Sequence, residues 1–345
     1  MKMHDILKKD PEMWALFTRN EEYQSSIRDK YNRFPYYASK NRDIFEPKAS
    51  EYLIKNGFHV EYPDNKKFVV CLTHDVDDLY KTAGMKILEA LGNLRTIRFS
   101  TCIDLLAQIR SKKLPLWNFS DIIALEDRYD AKSSFNFMVQ DPGDQDYNYD
   151  INDCEAIIGE LSDRGWEVGL HGGHTAYDDL SEIREKKKRL EKILNKKVVG
   201  YRNHYLRFTV PETWDHISNA GFLYDTTLGY NDCVGFRNGM CHPFTPFNLK
   251  TGKPIEILEI PLIIMDRTLK VSMNLDTRRA WEMSKILIDT VAKNEGVLTL
   301  LWHNNDFFGE QRKLYEKILM YCAEKKAWMT SGEVIATWWK QNGKD

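Results

Sequence analysis

Short apolar runs alternate with longer amphipathic segments from Lys66 onward, and this alternation is typical of βα units in a parallel sheet or barrel. The apolar runs predict seven strands, at residues 68–75, 133–139, 166–172, 198–204, 222–228, 255–265 and 297–304. Seven strands are enough to build a barrel. The predicted fold class is therefore α/β.

Helical periodicity is clearest in the segment between the third and fourth predicted strands, where the apolar positions share one helix face. Those positions are Leu180, Ile183, Leu190, Ile193 and Leu194. Near the end of the chain, Thr330 followed by Glu333 forms the pattern of a capping box. It predicts a last helix over residues 334–341.

Residues 1–65 have a different pattern, with helix-like stretches at 5–19 and 21–32 and no apolar run of strand type. We interpret them as a mostly helical N-terminal extension. Residues 66–345 then form the β/α barrel, and the length of 345 residues suits one barrel-sized domain with an extra segment.

Charge and composition exclude several function classes. The 49 basic and 51 acidic residues are interspersed and leave a net charge of -2, which argues against a nucleic-acid partner. No window approaches the roughly 18 apolar residues of a transmembrane helix, so we expect a cytoplasmic location. The six cysteines show no CxxC spacing, which argues against a disulfide framework and a thiolate zinc site.

The first predicted strand ends in two aspartates, Asp75 and Asp77, which can project to the same side. One carboxylate can bind a divalent metal while the other acts as general base towards a water molecule acidified by that metal. The alternative is that both aspartates cap the following helix.

The third predicted strand ends in His171-Gly172-Gly173-His174, where the glycines permit unusual backbone angles and two imidazoles can converge on one ion. Two imidazoles and one carboxylate leave positions open for water and substrate, which is the catalytic pattern of zinc sites. The alternative is a turn with one exposed and one hydrogen-bonded histidine.

Two further strands end in groups with catalytic chemistry. Arg202 lies near the end of the fourth and can hold a catalytic carboxylate by a bidentate pair, or form an ordinary salt bridge. His303 ends the seventh and can protonate a leaving amine, or be a satisfied core histidine.

Taken in this order, these segments resemble the polysaccharide deacetylase family over about residues 66–330. The resemblance implies a distorted seven-stranded β/α barrel with Asp75 as base, Asp77 and His171 as metal ligands and His303 as the acid. Family members usually place the second histidine four residues on, where this chain has Thr175. The third ligand is then His174, with His204 or water as the alternatives.

The resemblance also implies that Arg202 braces the base and that Asp225 supports His303. The stretches 235–237 and 241–244 resemble a bacterial subgroup found with surface-carbohydrate biosynthesis. Candidate substrate-binding residues are His204, Tyr205, Arg237 and Trp302, with Tyr230 and Phe236 as further members of an aromatic platform, although aromatic residues at such spacings are more often core.

The implied function is a metal-dependent hydrolase, with zinc as the expected ion, that removes an N-acetyl or O-acetyl group from a saccharide in cell-surface carbohydrate metabolism. One alternative is hydrolysis of another carbon–nitrogen amide bond, such as a cyclic imide or a formamide. Another is a carbohydrate-binding homologue without catalysis. The identity of the sugar and the oligomeric state stay open.

Overall fold

The computed structural model describes residues 2–80, 117–141 and 143–343, and its centre is a curved parallel sheet that forms a half-barrel. The strands of this sheet are β1 Phe68–Val76, β2 Ser134–Met138, β3 Glu167–Gly172, β4 Gly200–Asn203, β5 Tyr224–Asp225, β8 Leu258–Glu259, β9 Leu262–Met265, β10 Val297–Leu301 and β11 Ala327–Thr330. A separate antiparallel pair consists of β6 Phe247–Asn248 and β7 Lys253–Pro254. The sheet order is β8-β5-β4-β3-β2-β1-β10-β9, with β11 beside β1.

Helices surround this sheet and confirm the predicted α/β class. Within the described residues they are α1 Met3–Leu7, α2 Pro11–Phe17, α3 Asn20–Gln24, α4 Lys48–Lys55, α5 Phe119–Asp127, α6 Glu155–Asp163, α7 Leu180–Leu194, α8 Glu212–Asn219, α9 Thr277–Lys293, α10 Gly309–Glu324 and α11 Gly332–Gln341. Helix α7 buries Ile183 and Leu190 of its predicted apolar face. Its N-cap is Asp179, whose carboxylate accepts two backbone N–H groups of the first turn.

Strand β1 is central and entirely buried. One edge pairs with β10 over residues 69–73, and the other pairs with β11 near its start and with β2 near its end. Because these strands are parallel, their carboxyl ends meet at one edge of the sheet. The polar groups that follow β1 therefore lie in the middle of that edge.

Two predicted elements differ from those observed. The run 255–265 forms two strands that break at residues 260–261, where Pro261 has no N–H to continue a ladder. Thr330 ends β11, which the pattern did not predict, and the last helix begins at Gly332, two residues before the predicted start. Ser331 is its N-cap, with Oγ accepting from the Val334 N–H at 3.5 Å.

The N-terminal residues form four short helices, and Arg19, with a φ of 54°, separates α2 from α3. Met3, Leu7, Phe17 and Leu53 belong to the same hydrophobic cluster as the barrel strands. The core is thus continuous across the predicted boundary at residue 65, and that boundary stays a prediction.

The described cysteines are free and buried, whereas Cys102 lies outside the described residues. Among the described helices, none has the length and apolar character needed to cross a bilayer.

Candidate metal centre and active site

Side chains from four strand ends meet in one cavity of about 200 Å³. Asp75 and Asp77 come from the end of β1, His171 from β3, His204 from the turn after β4, and His303 from the second position after β10. The wall is completed by Tyr31, Arg33, Tyr205, Leu206, Asn231, Met265, Arg267, Val271, Ser272 and Leu301. Of the five strand-end residues, the sequence pattern predicted Asp75, Asp77, His171 and His303 as site residues. It gave His204 as an alternative metal ligand.

Three ligand atoms form a small triangle in this cavity. Asp77 Oδ1 lies 3.3 Å from His171 Nε2 and 3.6 Å from His204 Nδ1, and the two nitrogens are 3.1 Å apart. A tetrahedral zinc ion with ligands at about 2.0–2.1 Å separates them by about 3.3 Å. Asp77 Oδ1 is buried and accepts no hydrogen bond within the described part of the chain. The three residues therefore fit a divalent cation.

The surroundings of both imidazoles favour a neutral ring, which is the form that binds metals. His171 Nδ1 lies 3.1 Å from the Arg202 carbonyl oxygen, which only accepts, so Nδ1 carries the proton and Nε2 offers its lone pair. Burial lowers the pKa of His204 to about 3, against the smaller opposing effect of Asp77. A neutral His204 has a lone pair available to a cation.

Asp75 is a second buried carboxylate beside this triangle, and it stays outside the ligand set. Its Oδ1 accepts from Asn136 Nδ2 at 2.9 Å, while its Oδ2 lies 3.7 Å from His171 Nε2. Burial raises the pKa of Asp75, but the positive charges of Arg202 and of protonated His303 act against burial, and the net effect is a pKa below the ordinary value. An ionised carboxylate with one unbonded oxygen suits a general base.

His303 faces the ligand triangle and is oriented by Asp266. Its Nδ1 donates to Asp266 Oδ1 at 2.7 Å, its backbone N–H donates to Asp266 Oδ2 at 2.8 Å, and its Nε2 lies 3.7 Å from Asp77 Oδ2. Burial and Arg267 lower the pKa of His303, whereas Asp266 and Asp77 raise it, and the net effect is a raised pKa. A protonated His303 suits a general acid.

Asp225, the residue predicted to support His303, is not the carboxylate that contacts His303 in the structure. Asp225 is fully buried in β5, and its carboxylate accepts from Thr227 Oγ1 at 2.6 Å. Burial raises the pKa of Asp225, with Glu259 as its neighbouring carboxyl group. Asp266 was missed, although it immediately follows β9 and so obeys the same rule of polar residues at strand ends.

Arg267 is a further site residue that the pattern did not indicate. It donates to Asp77 Oδ2 at 2.8 Å, to Asp306 Oδ2 at 3.0 Å and to Asn305 Oδ1 at 2.8 Å. Burial raises the pKa of Asp77, but the charge of Arg267 outweighs it and holds that pKa well below the ordinary value. Arg267 thus occupies one oxygen of Asp77 and leaves Oδ1 for the cation.

His174, the predicted third ligand, does not line this cavity. Its Nδ1 lies 3.5 Å from Asp146 Oδ2, and its carbonyl oxygen accepts from Arg207 Nη1 at 2.5 Å. Gly172 and Gly173, expected to supply unusual backbone angles, have no positive φ. Gly172 leaves room for the buried Tyr201 hydroxyl, which a Cβ would overlap, whereas a Cβ at Gly173 would require the Gln140 amide to shift.

Arg202 is buried behind the cavity and forms no bidentate pair with Asp75. It donates instead to Thr73 Oγ1 at 2.9 Å and to Thr226 Oγ1 at 3.0 Å. Its influence on Asp75 is therefore through charge, since it lowers the pKa of that carboxyl group.

The candidate substrate-binding residues separate into two groups. His204 and Tyr205 line the cavity. Arg237 is buried in an ion pair with Glu22 at 2.6 Å, and Trp302 is fully buried against Tyr315. Tyr230 and Phe236, the other members of the predicted aromatic platform, are also buried away from the cavity wall.

Comparison by sequence finds no matching protein-family model and no matching curated protein. Comparison by structure finds a protein from Mycobacterium smegmatis that bears the name of a polysaccharide deacetylase, with 17% identity and a TM-score of 0.57. The alignment covers 83% of this chain and 94% of the other. The chain thus has the fold of the polysaccharide deacetylases.

Two more distant structures have TM-scores too low to support an argument. The peptidoglycan deacetylase PdaC from Bacillus subtilis aligns at 12% identity and a TM-score of 0.40, over 82% of this chain and 95% of its own. A CE4 family pseudoenzyme from Bacillus anthracis aligns at 12% identity and a TM-score of 0.39, over 80% and 66%.

Proposed function

We propose that this protein is a zinc-dependent hydrolase that removes an acetyl group from an N-acetylated saccharide. The observation that carries the proposal is the ligand triangle of Asp77, His171 and His204, with the unliganded Asp75 and the protonatable His303 in the same cavity. Two imidazoles and one carboxylate leave coordination positions open, as catalytic zinc sites do.

The chain's own residues divide the remaining chemistry. A divalent cation supplies Lewis acidity when bound. Asp75 accepts a proton from the attacking water at Oδ2, since Asn136 already occupies Oδ1. His303 donates a proton from Nε2 to the leaving amine, because its Nδ1–H is committed to Asp266. The buried Leu206, together with Met265 and Leu301, gives one wall an apolar character that suits an acetyl methyl group.

The direct test combines metal analysis with acetate release from a panel of N-acetylated and O-acetylated sugars, free, nucleotide-linked and polymeric. We expect about one equivalent of zinc and acetate release from an N-acetylated member. Asp75→Asn should keep the zinc and lose at least about 100-fold in kcat, since general acid–base groups contribute about 10²–10⁴-fold. Asp178→Asn, at a side chain that is 70% exposed, is the matched control.

Full activity of Asp75→Asn would refute the assignment of the base. Zinc binding with turnover of a cyclic imide or a formamide, and none of any acetylated sugar, would move the substrate to another amide. A wild-type protein that binds saccharide and takes up no metal would refute hydrolysis in favour of a binding role.

A further inference from the structure

The turn that carries His204 has an unusual backbone. Tyr205 and Leu206, the two residues after the proposed ligand, have φ values of 58° and 54°. Residues with side chains disfavour this left-handed region, so two in succession persist only where surrounding contacts hold them. The position of the His204 imidazole therefore depends on what holds the turn.

Two contacts from the N-terminal extension reach this turn. Arg33 Nη1 donates to the Tyr205 carbonyl oxygen at 2.6 Å. The Tyr31 ring stacks on the Tyr205 ring, with centroids 4.5 Å apart and planes 18° from parallel. The Tyr205 ring in turn lies 4.0 Å from the His204 imidazole. Residues Tyr31, Tyr205 and His204 thus form one continuous column of rings.

The segment that supplies these contacts is itself tightly closed. The Asp29 carboxylate accepts from Arg33 Nε at 2.8 Å and from the backbone N–H groups of Tyr31 and Arg33 at 2.9 and 3.0 Å. Arg33 Nη2 lies 2.7 Å from the same carboxylate. All three guanidinium nitrogens of Arg33 are therefore engaged inside the protein, which suits a positioning role better than direct binding of substrate.

A second connection holds the far side of the turn. Asn32 Nδ2 donates to the Tyr177 hydroxyl at 2.9 Å, and that hydroxyl also accepts from Arg207 Nη2 at 3.1 Å. Arg207 immediately follows the left-handed pair. The N-terminal extension thus contacts the backbone and the aromatic ring of Tyr205 directly, and it is linked to Arg207 through the Tyr177 hydroxyl.

We propose that residues 29–33 of the N-terminal extension position His204 as a metal ligand, so that metal binding depends on the extension. This inference rests on the proposed function, because it takes His204 as the third ligand. Tyr31 and Arg33 are positioning residues: they act on the cation through the Tyr205 turn.

The test measures zinc affinity by competition with a chromophoric chelator, and coordination geometry by the visible spectrum of the cobalt-substituted protein. The variants are Arg33→Gln and Tyr31→Ala. The matched controls from the same extension are Arg42→Gln, at an exposed arginine, and Tyr37→Ala, whose residue is 62% exposed. Loss of groups that orient a ligand typically costs about 10–100-fold in metal affinity. We expect that loss and an altered cobalt spectrum for the variants, and wild-type behaviour for the controls.

A double-mutant cycle separates positioning from general damage. In a His204→Ala background, Arg33→Gln should cause no further loss of zinc affinity, because its effect passes through the ligand already removed. Arg33→Lys, which keeps a charge for Asp29 and loses the planar fork, serves if the glutamine variant does not fold.

The outcomes distinguish this inference from the proposed function. Unchanged zinc affinity and an unchanged cobalt spectrum in Tyr31→Ala and Arg33→Gln, with a wild type that binds zinc, would overturn the positioning role alone. An equal loss on Arg33→Gln with and without His204 would overturn it as well. A wild type that binds neither zinc nor cobalt would overturn both proposals.

Discussion

Glu22 lies at the centre of a buried charge network that joins the N-terminal extension to the barrel. Its carboxylate accepts from Arg19 Nε at 2.7 Å and from Arg237 Nη2 and Nε at 2.6 and 3.1 Å. The three side chains are at most 1% exposed. Glu22→Gln therefore leaves two buried guanidinium groups without their shared counter-charge.

The cost of that change follows from the burial. Breaking a buried ion pair by removing one partner typically costs about 3–5 kcal/mol. Arg19 keeps a second partner, Glu21 at 2.7 Å, so we expect about 3 kcal/mol. With an unfolding entropy of about 2.1 cal/mol/K per residue, a chain of this length should lose about 4 °C in Tm.

The loss should depend on pH. Burial raises the pKa of Glu22, but Arg237 and Arg19 outweigh it, and the folded pKa lies below the ordinary value of 4.5. The ionised Glu22 therefore stabilises the fold fully above about pH 4.5, and this contribution is lost as the pH falls through the folded pKa. The gap between wild type and Glu22→Gln should be full at pH 7 and smaller in acid.

Thermal unfolding followed by circular dichroism at pH 7 and in acid measures both effects. Glu46→Gln, at an exposed glutamate of the same extension, is the control and should stay within about 0.5 kcal/mol of wild type. The reasoning is refuted if Glu22→Gln lowers Tm by no more than the control at pH 7.

Two more predictions concern the ligand set and a buried carboxyl group. Zinc content by mass spectrometry should fall sharply in His204→Ala and stay unchanged in His174→Ala; the reverse order would restore His174 as the ligand. Burial raises the pKa of Glu167 from 4.5 to about 7, so the folded state binds the extra proton and wild-type stability falls as the pH rises through that interval, by up to about 3 kcal/mol. Urea unfolding at pH 5 and 8 should show this slope in the wild type and not in Glu167→Gln, and equal slopes would contradict it.

Much of the barrel could be predicted because its strands are recognised from short, continuous stretches of sequence. Buried parallel strands are continuous apolar runs, and the rule that polar residues gather at their carboxyl ends identified Asp75, Asp77, His171 and His303. The same rule, applied to the residue after Met265, would have identified Asp266. Strand β11 was missed because its apolar run, AWMT, is only four residues long. A run this short cannot be distinguished by pattern from the helices on either side.

The rest depends on contacts between segments distant in the chain. Tyr31 and Arg33 reach the site only because the N-terminal extension folds across the barrel, and no pattern within residues 1–65 indicates that path. Arg237 looks like a substrate contact from its neighbours in sequence. Its role as the partner of Glu22, 215 positions away, appears only in three dimensions.

The sheet register is consistent with the proposed use of His204, in place of His174, as the third ligand. His171 pairs with Arg202 and Gly172 with Asn203, so the turn after β4 begins beside Gly173, one strand spacing of about 4.8 Å away. With the His174 carbonyl held by Arg207, the neighbouring turn can present an imidazole to the same point. That turn needs left-handed residues at Tyr205 and Leu206, and Arg33 and Tyr31 are the groups that contact it. In the proposed metal centre, a third ligand from the turn after β4, in place of one from the β3 loop, would make metal binding depend on the N-terminal extension.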